Sequence, residues 1–153
     1  MGIEVASKKT AYPHNELSGG SWVETFSRGG ITFIGTLLNG RPVSAGYISP
    51  PRYRAFRFLA QPHDRYDIWV RSEDGDAVAW VLDANYQTLA WNDDADSGTT
   101  DAHISLTVPQ ASPVFYLVFR EYQLRFAHFV IQLNWSGRGP DHSSVLAGGV
   151  LAI

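Results

Sequence analysis

The segment WNDDADSGTTD at positions 91–101 places Asn92 and four aspartates, Asp93, Asp94, Asp96 and Asp101, directly after an apolar run. Asn92, Asp94 and Asp96 offer oxygens at alternating positions, and Gly98 permits a tight bend. That chemistry suits calcium, which takes six to eight oxygen ligands at about 2.3–2.6 Å and tolerates irregular loops. The pattern matches an EF-hand loop only at its start: the glycine is misplaced, the closing glutamate is missing and no helical pattern flanks it. A solvated acidic loop is the competing reading. Acid–base catalysis is the weakest, because a carboxyl kept neutral for proton transfer needs burial or a close partner, and a Gly/Ser/Thr-rich loop promises neither.

Other chemistries find less support. The chain has no GxSxG, HExxH or GxxxxGK[ST] pattern, so no catalytic residue is assigned. The histidines at 14, 63, 103, 128 and 142 form no HxH or HxxxH pair, and His103 and His128 read as surface residues on two strands of one sheet. Cysteine is absent, which excludes disulfides, thiolate metal sites and cysteine nucleophiles. Trp69 and Tyr53 fall on strand faces opposite the apolar stripes, where exposed rings would form a ligand surface for a sugar or a protein. The alternative for Trp69 is packing beneath the flank Ser21-Trp22-Val23. Arg52, Arg54 and Arg57 read as solvated strand positions rather than an anion site.

The elements that must position these residues are strands. Runs rich in aromatic and β-branched residues, each closed by a turn signal, predict strands at about 31–38, 53–60, 65–71, 77–83, 88–92, 102–108, 114–120 and 126–134. Tyr66, Ile68 and Val70 alternate with Arg65, Asp67 and Trp69, and Ala102, Ile104, Leu106 and Val108 alternate with His103, Ser105 and Thr107. The run VFYLVF at 114–119 is apolar on both faces, as a central strand covered on both sides requires. About eight short strands joined mostly by tight turns make an all-β fold: an antiparallel, jelly-roll-like β-sandwich. Residues 31–134 form the sandwich domain, 1–30 an N-terminal flank or arm, and 135–153 a Gly/Ser/Pro flank with a short apolar tail.

If each connection reverses the chain, the turns at 72–76, 93–101 and 121–125 lie at one end. Asp74, Asp76 and Glu121 then join Asp93, Asp94, Asp96 and Asp101, while Asp64 and Asp83 sit at the other end. Crowded carboxylates disfavour one another's ionisation, and a bound cation removes that cost. The metal-ligand set expected is therefore Asn92, Asp93, Asp94, Asp96, Asp101, Asp74 and Asp76.

Charge supports this polarity. The 153 residues carry a net charge of −3, yet the stretch 64–101 holds ten of the fifteen acids against two arginines. Such a balance argues against a nucleic-acid surface. With 44% hydrophobic and 13% aromatic residues, the composition is that of a globular domain. The final apolar stretch, 145–153, is far shorter than the roughly 20 residues that span a bilayer, and no signal peptide is visible at the start.

The succession FIGTLLNGRP, RYRAFRFLA, YDIWVRSEDGDAVAWVLDANYQTLAWNDDADSGTTDAHISLTVP and FYLVFREY resembles the bacterial pre-peptidase C-terminal (PPC) domain family over about residues 31–134. The resemblance implies a jelly-roll-like sandwich serving as a non-catalytic module of secreted bacterial proteins, often attached to peptidases. Related collagenase modules bind calcium and a polymeric substrate. Carried over, the family's acidic loop falls on Asn92, Asp93 and Asp94, its D-x-N turn on Asp83 and Asn85, and its acidic hairpin on Asp74 and Asp76. The expectation is a calcium-stabilised accessory module, secreted or extracytoplasmic, with a protein or polysaccharide partner. The alternative is an assembly protein whose terminal flanks dock on another chain or form a homo-oligomer.

Overall fold

Period-two patterns become strands where their apolar faces find an opposing sheet. In the computed structural model, which describes residues 24–93 and 99–138, a short 3-10 turn at Arg28–Gly30 precedes nine strands. They are β1 (Ile31–Thr36), β2 (Val43–Tyr47), β3 (Tyr53–Phe58), β4 (Asp64–Arg71), β5 (Ala77–Leu82), β6 (Thr88–Asn92), β7 (Ala102–Thr107), β8 (Phe115–Glu121) and β9 (Ala127–Arg138). One sheet has the order β1-β3-β8-β5-β6 and the other β2-β9-β4-β7. The orders β2-β9-β4-β7 and β3-β8-β5-β6 are those of a jelly roll, so the expected all-β sandwich is what the chain forms.

Two details differ from the expectation. Among the described residues there are nine strands rather than about eight, because VSAGY at 43–47 pairs with β9 as an edge strand. Its small side chains give too weak an alternation to announce a strand. In addition, β1 runs parallel to β3, from Ile31↔Tyr53 to Thr36↔Arg57, in an otherwise antiparallel fold. The jelly roll thus consists of β2 to β9, and β1 is added at the edge of the five-stranded sheet.

The main core lies between the sheets. Ile68, Val70, Ile104, Phe129 and Ile131 from one sheet meet Phe56, Phe58, Phe115, Leu117 and Phe119 from the other. A second apolar cluster covers the outer face of the five-stranded sheet, where Tyr53, Val78, Trp80, Leu82, Trp91 and Val118 pack with Phe26. Strand β5 is buried along its whole length because its alternate residues serve the two clusters. Phe26 lies 4.8 Å from Tyr53 and 5.3 Å from Trp80 between ring centroids, so the end of the N-terminal flank is packed onto the sheet. Strand β9 continues past residue 134 to Arg138, paired there with Asp64.

This second cluster corrects one expected site. Tyr53 is only 8% exposed and cannot serve as a ligand surface, because Phe26 and Trp80 cover it. Arg54 is likewise buried, its guanidinium donating to the Ile48 carbonyl at 2.7 Å, and is no solvated strand position. No helix among the described residues is long and apolar enough to cross a membrane.

Candidate functional site

Three connections meet at one end of the sandwich, as the count of chain reversals leads one to expect: 72–76 between β4 and β5, the described ends (Asp93 and 99–101) of the connection between β6 and β7, and 122–126 between β8 and β9. Their main chains are joined directly. Ala77 N–H donates to Thr100 O at 2.9 Å and Tyr122 N–H to Asp76 O at 2.8 Å. Gly75 is required for this approach, because a Cβ at that position would stand 2.6 Å from Ala127 Cβ.

Carboxylates fasten the rest. Glu121, fully buried at the end of β8, accepts from Gln123 N–H at 2.8 Å, Arg125 N–H at 2.9 Å and Asp76 N–H at 3.2 Å. Asp101 accepts from Ser72 N–H at 3.0 Å. Asn92 Oδ1 accepts from His103 N–H at 3.1 Å, tying the end of β6 to β7. Asp93 is fully buried and Asp76 nearly so. Among the described residues, no three carboxylate or imidazole groups are placed to hold one metal ion. Asp94 and Asp96, both in the expected ligand set, lie outside the described residues.

Asp74 is exposed yet engaged. Its Oδ1 accepts from His128 N–H and its Oδ2 meets His128 Nδ1, both at 2.9 Å, which latches the β4–β5 turn onto β9. The His128 ring, its main-chain N–H and the Ser72 hydroxyl hold the Asp74 carboxyl down at about 2. A folded-state pKa below the ordinary 3.8 means that the latch is at full strength above that value and is lost as pH falls through about 2. A carboxyl NMR titration is expected to place the Asp74 midpoint near 2, and His128→Ala to return it towards 3.8; equal midpoints in the two proteins would contradict the latch.

On the outer face of the four-stranded sheet, Trp69 stacks on His103 with centroids 4.1 Å apart and planes 13° from parallel. The Arg71 guanidinium lies 4.3 Å from the Trp69 ring centre. Burial alone would raise the Asp67 carboxyl, but the Ser105 hydroxyl at 2.9 Å and His103 Nε2 at 2.8 Å outweigh it and hold it below the ordinary value. Trp69 is thus half-buried in a stack with its neighbours. The Ser21-Trp22-Val23 flank lies outside the described residues. His103 on β7 and His128 on β9 share this sheet with β4 between them, and each pairs with a different aspartate.

Next to this stack the face opens into a groove of about 920 Å³. Ser44 and Gly46 of β2 and Val130 of β9 lie along it, with Arg71, Glu73, Asp74, Asp101 and His128 towards the acidic end. A glycine inside a strand pattern is the signal that points to such a place, but it carries meaning only once 43–47 is known to be a strand.

No family model matches the chain, and no curated protein matches it. Solved structures do. A periplasmic inhibitor of g-type lysozyme from Aeromonas hydrophila, PliG, superposes with a TM-score of 0.52 at 11% identity, over 69% of this chain and 97% of that one. The fold is shared. The pre-peptidase C-terminal domain of a collagenase from Bacillus anthracis is also similar, with a TM-score of 0.48 at 13% identity over 68% of this chain and 94% of that domain.

Proposed function

We propose that the chain is a non-catalytic accessory module that binds a protein partner outside the cytoplasm, with calcium ordering its acidic end. The observation that carries the non-catalytic part is how the carboxylates are used. Glu121, Asp101 and Asp74 accept main-chain N–H groups that join neighbouring loops, so their oxygens fasten the fold instead of facing a substrate. The shared fold supports the binding part, since PliG is a periplasmic protein whose task is to inhibit another protein.

Calcium is proposed for the loop that starts at Asn92. Both Asp74 oxygens are engaged with His128, and one oxygen of Asp101 is taken by Ser72, so these two are poor first choices. The ion then falls to Asp93 with Asp94 and Asp96, and to Asn92 only through the second lone pair of its Oδ1, the first accepting from His103 N–H, supported by the spacing of these oxygens in the sequence. Calcium at about 100 times its Kd is expected to add roughly 2.7 kcal/mol to the folded state. The melting midpoint should rise by about 8 °C relative to protein in chelator. An identical midpoint with and without the ion removes calcium from the proposal.

A further inference from the structure

Gly46 is in an unusual place for a glycine. It lies in β2 opposite His128, with ordinary backbone geometry, and a Cβ there would meet nothing within 4 Å. Neither a close approach nor a positive φ therefore calls for it. Glycine weakens a strand, and one that the fold does not need often marks where a ligand comes close to the backbone. Its bare backbone borders the groove described above, and a side chain there would fill part of that space.

The charges around the groove are unbalanced. Glu73, Asp74 and Asp101 line it against Arg71 and His128. The Arg71 guanidinium is drawn over Trp69 and the His128 ring is bound to Asp74, so neither is directed at Glu73 or Asp101. The apolar contribution comes from Val130, 44% exposed in the floor, and from Phe126 beyond His128, at 58% exposed with its ring 4.8 Å from the imidazole. A slot with a bare glycine backbone, an apolar floor and a carboxylate end suits a narrow chain bearing alternating cationic side chains.

We infer that this groove receives an extended segment of a partner protein carrying Lys or Arg, with Gly46 beneath the segment and Glu73 and Asp101 facing its cations. The inference rests on the reading of the chain as a protein-binding module and names where on the module the partner sits.

The test uses the full chain and a synthetic octapeptide of alternating Thr and Lys, with its Thr-Glu counterpart as control, read by amide chemical-shift mapping. The Lys peptide is expected to shift amides at 44–46, 72–74 and 128–130, and the Glu peptide to shift none of them. Gly46→Leu should abolish the effect while keeping the melting midpoint, because its side chain enters open space. Glu73→Lys should weaken binding about tenfold at low salt. Equal shifts from both peptides, no shifts at the groove, or unchanged binding in Gly46→Leu would each overturn the assignment. Shifts confined to another surface would overturn the groove and leave the binding-module reading standing. Calcium binding is decided separately by the melts, so its failure cannot be confused with failure of the groove.

Discussion

Glu121→Ala is expected to destabilise the domain by about 4 kcal/mol, because it leaves three N–H groups at the crowded end without their acceptor. The melting midpoint should fall by roughly 12 °C. The neighbouring Arg125 guanidinium, 3.6 Å away and largely exposed, adds little to this figure. Glu121→Gln keeps one acceptor oxygen and should lose about half as much. Hydrogen exchange provides the local readout: the amides of Asp76, Gln123 and Arg125 should exchange faster, while those in the middle of β4 keep their protection. A midpoint within about 2 °C of the parent would show that the three loops do not depend on this carboxylate.

The second large effect lies on the opposite side of the five-stranded sheet. Trp80, 1% exposed, packs edge-on to Phe26 and Tyr53 at 5.3 and 5.7 Å, and the Arg120 guanidinium lies 5.8 Å from its ring centre. Truncation to alanine removes one of the two tryptophans of the outer cluster and is expected to cost about 4 kcal/mol, as in a true core. A loss below about 1 kcal/mol would mean that the cluster is a surface patch and that Phe26 closes nothing. The same measurement therefore tests whether Tyr53 is sealed from ligands.

Local signals were the legible ones. Alternation in 65–71 and 102–108 correctly assigned the buried faces of β4 and β7, and the two-sided apolar run of β8 correctly marked a central strand. Tight reversals are also local, which is why counting them was enough to bring the turn at 72–76, the loop beginning at Asp93 and Glu121 to one end. Information that depends on distant partners was not available. Alternation states which face Tyr53 occupies, but only the arrival of Phe26 decides that the face is covered. The parallel pairing of β1 with β3 depends on a crossover through the other sheet. The His128–Asp74 latch joins residues 54 apart in sequence, with no motif to announce it.

The added strand β1 has a mechanical consequence. It enters at the acidic end, where Ile31 pairs with Tyr53, whereas β9 leaves at the far end, where Arg138 pairs with Asp64. A chain pulled taut through this domain would draw β1 along β3 and β9 along β4 in the direction of the strands. Ladder hydrogen bonds run across the strands, so such a pull strains many of them together instead of opening them one at a time. Pulled in this way, the sandwich behaves as a tie rather than a zipper, with the acidic loops at one anchor point and the exit of β9 at the other.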